Sequence, residues 1–305
     1  MIPFVFIRFA IIFVAMKLIV ESGATKTDWV AVFPDREPAG IKTAGINLAS
    51  MSPETIESVV MQAVDEFKGI GISDSVEELF FYAAGLVGQK GSGIPDLAVE
   101  LDKVLSRFFP NAIKEYSSDM LSAARAVCGH KPGIVAILGT GSNSCFFDGE
   151  RIVKNVPSGG FILGDEGGGA RLGKLFISDF IKGLVPEPVA GDFAREFEVD
   201  YPTVVKNVYR GGAPSKYLGS FAPWILGRYD SSRYVKELVD RNFRDFVEIF
   251  LKQYDYENHP VGVVGGFGFA NRAILEEVAG KCGVKISTII PAPMERLVEY
   301  HMGRL

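Results

Sequence analysis

The chain has 305 residues, of which 48% are hydrophobic and 23% are charged. This length exceeds one ordinary hydrophobic core, so we expect two globular domains and not a disordered chain. The formal net charge of −5 argues against duplex nucleic acid as a partner, since such binding needs a basic surface, but it does not exclude a nucleotide. The three cysteines are too far apart in sequence for a disulfide framework or a zinc-binding pair, which favours a reducing, cytoplasmic setting.

The N-terminal residues 1–15 form an apolar extension interrupted by Arg8. The segment is shorter than the ~20 residues of a membrane-spanning helix, and no small-residue cleavage site follows it. Three interpretations stay open: an upstream start codon before a true start at Met16, a weak signal or membrane anchor, and an extra strand or helix on the first domain. We expect the fold to begin at Met16 or Lys17, where a core strand starts, and we do not expect a membrane partner.

The first part of the chain predicts three short strands followed by alternating helices and strands. Ser52 is suited to cap a helix whose first residue is Pro53, because its apolar residues then recur at helical spacing. The predicted elements are strands at 17–21, 28–33 and 40–44, a helix at 53–68, a strand at 78–84, a helix at 95–108, a strand at 112–116 and a helix opening at 117–119 and ending near 127.

The same order of elements then begins again. The predicted elements are strands at 134–138, 144–148 and 151–155, a helix-rich stretch from 168 to about 250, a strand at 261–264, a helix at 272–282, a strand at 285–289 and a helix at 293–303. The repetition is one of architecture and not of sequence. It predicts two α/β domains, each a mixed sheet flanked by helices.

Two loops of glycine and small hydroxyl residues follow the first strand of each half. The sequence is ESGATKTD at 21–28 and GTGSNS at 139–144. Glycine lets the backbone approach a ligand closely, and the amide dipoles of such a turn attract anions. Either loop alone could be a hairpin that binds nothing. Two loops in corresponding positions predict a pair of phosphate-binding turns that face each other across a cleft.

Four segments resemble the sugar kinase/Hsp70/actin ATPase superfamily, and within it the N-acetylglucosamine kinases and the BadF/BadG/BcrA/BcrD-type ATPases. They are ESGATKTD at 21–28, Ser118-Asp119, GTGSN at 139–143 and GGFGFA at 265–270. The resemblance implies two ribonuclease H-like (actin-like ATPase) domains with an ATP- and sugar-binding cleft between them. We expect the first domain at 16–118 and the second at 119–305, whose last helix could pack back on the first.

The resemblance also implies a site for ATP and Mg²⁺. The first loop would wrap the β- and γ-phosphates, with Glu21 holding a water bound to Mg²⁺, although family members usually have aspartate there. The predicted phosphate ligands are Gly23, Ala24, Thr25, Lys26, Thr27, Gly139, Thr140 and Gly141. The predicted adenosine ligands are Gly265, Gly266 and Phe267, where a close-packed strand–helix turn is the alternative.

Asp119 is the predicted catalytic base, since it matches the family aspartate that activates the sugar hydroxyl. Phosphoryl transfer needs mainly positioning and charge neutralisation, with one carboxylate to accept the proton. An aspartate at the start of a helix can also be an N-cap, and the two roles are compatible.

Two further segments are similar to the family's sugar-binding segments: TAGIN at 43–47 and GDEG at 164–167. On chemistry alone, the two acidic residues of the second segment could hold a metal or form a solvated turn. The predicted sugar ligands are Asn47, Gly164, Asp165 and Glu166. The family usually has serine and an aromatic residue in the stretch 169–171, which is Gly-Ala-Arg here, so the acyl-group preference stays open.

The resulting hypothesis is a cytoplasmic, ATP-dependent kinase of an amino sugar, first of all N-acetylglucosamine at its 6-hydroxyl. Its partners would be a small sugar and Mg-ATP, with a homodimer left open and no nucleic acid. One alternative is an ATPase activator of a dehydratase or reductase system, which would hold an iron–sulfur cluster on cysteines. Another is a non-catalytic sugar- or nucleotide-binding sensor, suggested by Glu21.

Overall fold

The computed structural model divides the chain into two compact units after Asp119, each with one five-stranded mixed sheet. The residues it describes are 16–23, 26–33, 35–46, 48, 51–69, 72, 76–84, 86 and 97–305. The extension at 1–15 and the predicted ligands Ala24, Thr25 and Asn47 lie outside the described residues.

The sheet of the first unit contains three antiparallel strands extended by two parallel ones. In chain order the strands are β1 (Lys17–Ser22), β2 (Lys26–Val32), β3 (Ala39–Ala44), β4 (Glu78–Ala83) and β5 (Ile113–Ser118). Their order across the sheet is β3-β2-β1-β4-β5. Because β1, β4 and β5 are parallel, helical crossovers join β3 to β4 and β4 to β5; these are α1 (Pro53–Lys68) and α2 (Leu97–Phe108).

The central strand β1 is held by burial on both faces. Leu18, Ile19 and Val20 have no exposed surface, which is typical of a strand covered by helices. The side chain of Ser52 accepts a hydrogen bond from the Thr55 amide, so α1 begins at the predicted cap. Because β1, β4 and β5 run parallel, their carboxyl ends lie at the same edge of the sheet.

The second unit repeats this strand order. Its strands are β6 (Gly133–Leu138), β7 (Ser142–Phe147), β8 (Ile152–Val156), β9 (Val261–Val264) and β10 (Ile286–Ile290), arranged β10-β9-β6-β7-β8. The helices are α3 (Asp119–Cys128), α4 (Gly160–Leu163), α5 (Gly169–Phe180), α6 (Val189–Glu196), α7 (Tyr201–Tyr209), α8 (Pro214–Gly219), α9 (Ala222–Leu226), α10 (Arg233–Ile249), α11 (Gly266–Ala270), α12 (Arg272–Lys281) and α13 (Met294–His301).

The predicted mixed sheets and their element order are confirmed, with two local differences. β2 and β7 each begin two residues earlier than predicted, because Thr27 and Ser142 are buried and pair in the ladder although their sequence is typical of a loop. The second loop is therefore a three-residue turn, 139–141, between β6 and β7. The stretch between β8 and α5, where no helix was predicted, contains the short helix α4.

None of the helices in the described part of the chain is both long enough and apolar enough to cross a bilayer.

Candidate functional site

Three acidic residues lie at the carboxyl edge of the first sheet. Glu21 is near the end of β1, Asp28 is its partner on β2, and Asp119 directly follows β5. β4 lies between β1 and β5, and its register places Glu21 across from Ser117, two residues before Asp119. This edge concentrates negative charge at the end of the sheet.

The carboxyl group of Glu21 titrates far from its ordinary range. Its pKa is raised from 4.5 to about 7, mainly by burial and then by the charges of Asp119 and Asp28, while Lys26 lowers it. Lys26 is itself paired with Asp28, with 2.7 Å between Nζ and Oδ2. A cation at this edge would favour the ionised form of Glu21.

The carboxylates of this edge fit the donor chemistry of Mg²⁺. This ion usually keeps several waters and is held by one or two carboxylates together with substrate phosphates. In the described ranges, no three or more His, Cys, Asp and Glu side chains are grouped so that they could hold a metal by themselves. The edge therefore suits an ion that arrives with a polyphosphate and is held through water.

The hydroxyl of Thr27 is used inside the first hairpin. It lies 2.6 Å from Ser22 Oγ and donates to the Ala44 carbonyl at 2.9 Å. The Gly23 amide donates to the Lys26 carbonyl at 3.0 Å and closes the turn. Thr27 thus stabilises the loop from within, and direct contact with phosphate stays a prediction for it.

In the second loop, Gly139–Gly141, all three carbonyls are engaged. Those of Gly139 and Thr140 accept the amides of Gly169 and Ala170, the first two residues of α5, at 3.0 and 2.8 Å, and that of Gly141 accepts the Gly139 amide at 3.0 Å. No residue in the described part of the chain accepts a hydrogen bond from the amides of Thr140 and Gly141. A turn with engaged carbonyls and open amides is suited to bind an anion.

Asp165 joins the predicted sugar-side loop to this turn. Its backbone is left-handed, with φ 60°, and its carboxylate Oδ1 accepts the Ser142 amide at 3.2 Å. A Cβ atom on Gly141 would lie only 2.8 Å from Oδ2, so glycine at 141 permits this close approach. Burial raises the pKa of Asp165, and the bond from the Ser142 amide lowers it.

Glu166 is paired with a cation of this chain. Its Oε1 lies 2.5 Å from Arg171 Nη1, and Arg171 Nη2 lies 3.6 Å from Asp245. Glu166 is only 7% exposed, so the charge of Arg171 offsets the cost of burying the carboxylate. Sequence reasoning noted Arg171 only as a departure from the family pattern and missed this ion pair.

The sequence analysis also did not identify Asn242 as a residue that supports the candidate site. It lies on α10 with no exposed surface; its Oδ1 accepts the Gly167 amide at 3.2 Å and its Nδ2 donates to the Gly168 carbonyl at 3.3 Å. A single asparagine 74 residues from its partner carries no sequence signal.

The predicted adenosine turn lies beside the second phosphate loop. Gly265 has φ 129°, and a Cβ atom there would lie 2.4 Å from the Leu138 carbonyl oxygen, so only glycine fits. At Gly266, by contrast, an added Cβ would meet no atom within 4 Å. The ring of Phe267 comes within 3.2 Å of the Cβ position of Gly169. The second unit therefore gathers the predicted phosphate and adenosine residues around the start of α5.

The three cysteines do not form a reactive group. Burial raises the pKa of Cys128 to about 11, and it also raises the pKa values of Cys145 and Cys282. Metal ligation by cysteine uses the thiolate, which a raised pKa disfavours. The neutral thiol is therefore the favoured form of all three cysteines at neutral pH.

We predict that Gly141→Ala destabilises the protein while Gly139→Ala does not. The new methyl group at 141 would push the buried carboxylate of Asp165 away from the loop, at a cost of about 1–3 kcal/mol. The methyl group at 139 meets no atom within 4 Å. Urea unfolding of both variants without nucleotide checks this, and equal stability of the two would contradict the close packing of Asp165 on the loop.

We also predict a pH-dependent effect of Glu21→Gln. A carboxyl whose pKa is raised on folding stabilises the fold below pH 4.5, and that contribution is lost as the pH rises through about 7. Glutamine keeps the neutral form, so the variant should match the wild type near pH 4.5 and exceed its free energy of unfolding at pH 8 by roughly 1–3 kcal/mol. Metal-free unfolding at both pH values measures this, with the exposed Glu37→Gln as a variant that should change nothing.

Comparison with known proteins places the chain in a family. No protein-family model and no curated protein matches it. A solved structure from Porphyromonas gingivalis, provisionally named an N-acetylglucosamine kinase, has 36% identity and a TM-score of 0.84, covering 94% of this chain and 99% of its own.

Two further solved structures share the fold. One from Chromobacterium violaceum, also provisionally named an N-acetylglucosamine kinase, has 17% identity and a TM-score of 0.70, covering 94% and 99% of the two chains. A glucokinase from Streptomyces griseus, in complex with glucose and AMPPNP, has 15% identity and a TM-score of 0.54, covering 94% and 98%. The first match shows that this chain belongs to the N-acetylglucosamine kinase-like family of sugar kinases, and the other two show that it shares their fold.

Proposed function

We propose that this protein transfers the γ-phosphoryl group of Mg-ATP to the 6-hydroxyl of N-acetylglucosamine. The observation that carries the proposal is the 36% identity to the Porphyromonas gingivalis protein, which extends over 94% of this chain. Its sugar-kinase family supplies the reaction class, and the named sugar of that relative supplies the substrate. The residues of both units are chemically suited to their proposed parts.

Asp119 is proposed to accept the proton of the sugar hydroxyl. It directly follows β5 and is the first residue of α3, so a strand and a helix fix its backbone. The charge of Asp119 raises the pKa of Glu21, so the two carboxyl groups lie in the same region of the first unit. A positioned carboxylate of this kind is what phosphoryl transfer requires of a base.

The nucleotide is proposed to bind through both loops. The open amides of Thr140 and Gly141 would hold phosphate oxygens, and the segment 265–267 would take the adenosine. Gly23 and Lys26 of the first loop would contact the phosphates from the first unit. Mg²⁺, when bound, would neutralise phosphate charge, with Glu21 holding one of its waters.

Sugar recognition is proposed for Asn47, Gly164, Asp165 and Glu166. Arg171 occupies Oε1 of Glu166, so a sugar hydroxyl would donate to Oε2. Asp165 Oδ1 accepts the Ser142 amide, so Oδ2 is the oxygen proposed to accept a sugar hydroxyl.

We predict sugar-stimulated ADP release with N-acetylglucosamine. A coupled assay should compare this sugar with glucosamine, N-acetylmuramic acid and glucose at equal concentration, with Mg-ATP. N-Acetylglucosamine should give the highest kcat/KM. ADP release that none of the four sugars stimulates would overturn the kinase proposal, and a preference for another sugar would overturn only its substrate.

We predict that Asp119→Asn abolishes phosphoryl transfer but not nucleotide binding. The amide cannot accept the proton, so kcat should fall by about 10²–10⁴-fold, the usual contribution of a general base. AMPPNP binding by calorimetry should change less than threefold. A joint loss of activity, binding and thermal stability would show instead that Asp119 mainly supports the fold.

A further inference from the structure

The two carboxylate oxygens of Glu166 have different surroundings. Oε1 lies 2.5 Å from Arg171 Nη1. Oε2 lies close to its own loop, where a Cβ atom on Gly164 would be only 3.2 Å away from it. Because the side chain of Glu166 is only 9% exposed, these neighbours set its orientation more than solvent does. The oxygen proposed to accept a sugar hydroxyl therefore lies beside Gly164, another residue of the proposed sugar site.

Arg171, the third residue of α5, is held in turn by a second carboxylate. Its Nη2 lies 3.6 Å from Oδ2 of Asp245, which is on α10. The buried Nε has no hydrogen-bond partner in the described part of the chain, so the contacts of the two Nη atoms orient the guanidinium. Burial raises the pKa of Asp245, and the charge of Arg171 lowers it. Since the donors of a guanidinium form a rigid, planar fork, two carboxylates favour one orientation of it.

A second cation of α5 supports the other half of the same loop. Lys174 donates from Nζ to the carbonyls of Phe161 and Ile162, at 2.6 and 3.4 Å. These carbonyls belong to the end of α4, where a helix leaves its carbonyls without partners of its own. Lys174 follows Arg171 by three residues, so the two cations lie on the same side of α5. This helix thus holds the loop at two points, α4 and Glu166.

Glu166 depends on Arg171 for its orientation. Among the residues that the structure describes, Arg171 is the one that donates a hydrogen bond to its side chain. A carboxylate with so little exposure needs a partner of opposite charge, and without one it would turn toward solvent or water would enter. In either case Oε2 would leave its place beside Gly164.

We propose that Arg171 is a positioning residue for sugar recognition: by holding Oε1 of Glu166 it keeps Oε2 in place for the sugar, and Asp245 holds Arg171 in the orientation that this requires. The inference rests on the proposed function, which assigns Glu166 to the sugar. It places the control of sugar affinity in an ion pair, and Arg171 acts without touching the sugar.

The test measures N-acetylglucosamine binding by calorimetry, without nucleotide, in wild type, Arg171→Met and Asp245→Asn. Methionine keeps much of the apolar stem of arginine but cannot hold Oε1, so the dissociation constant for the sugar should rise roughly tenfold or more. Asparagine keeps the shape of Asp245 without its charge, and a rise of about threefold is expected. The AMPPNP dissociation constant, measured without sugar, should stay within twofold of wild type in both. If another of the four sugars gives the highest kcat/KM, that sugar is the probe.

Two comparisons separate positioning from a merely structural role. In the Glu166→Gln background, Arg171→Met should change the sugar dissociation constant by less than about twofold, because the effects of residues that act through one another are not additive. Arg228→Met is the matched control, since this arginine of the same unit is also partly buried and lies 3.9 Å from a carboxylate, that of Glu196. It should lower the unfolding midpoint and leave the sugar dissociation constant unchanged.

An unchanged sugar dissociation constant in Arg171→Met would overturn the inference, as would equal weakening in Arg228→Met or a full further loss in the Glu166→Gln background. AMPPNP binding weakened by the same factor as sugar binding would also overturn it, because Arg171 would then support the second unit in general. Should Arg171→Met fail to fold, Asp245→Asn decides by the same criteria. A protein that binds the sugar but phosphorylates none of the four would overturn the proposed function alone, and one that binds none of them would overturn both.

Discussion

The hydrogen bonds from the first amides of α5 to the carbonyls of Gly139 and Thr140 are the interaction on which the second unit's candidate site depends. The first amides of a helix have no partner within it, and the carbonyls of a tight turn also need donors. Joining the two satisfies both requirements. The amides of Thr140 and Gly141 are left without an acceptor in the described part of the chain, and such a turn is suited to bind an anion.

The candidate site of the first unit carries hydrogen-bond acceptors where that of the second unit carries donors. Its sheet edge gathers carboxyl groups, and the mutual repulsion of Glu21, Asp28 and Asp119 adds to burial in raising the pKa of Glu21 to about 7. One unit thus offers open amide donors and the other offers oxygen acceptors. Amide donors are suited to an anion, and carboxylate oxygens are suited to a cation such as Mg²⁺.

The sequence predicted the strands, the helices and the two loops because local signals control them. Apolar runs predicted β1 and β6, and Ser52-Pro53 predicted the start of α1. The contacts that shape the site are not local. Asn242 reaches Gly168 across 74 residues, and the direction of the Asp165 carboxylate follows from a left-handed backbone that no spacing rule predicts. Thr27 stands in a sequence that is typical of a loop. Its burial and its hydroxyl hydrogen bonds, which the sequence does not reveal, show that it supports the hairpin.

The position of Gly265 has a consequence for when this site can form during synthesis. Its backbone lies against Leu138 and its amide donates to Ile290, so strands from distant parts of the chain meet at one glycine. Asn242, which holds the turn before α5, is also made long after the phosphate loop. A growing chain that has left the ribosome only as far as β8 would hold the residues of that loop without the supports that set its direction. Nucleotide binding should therefore be acquired late, when nearly all of the second unit has been made.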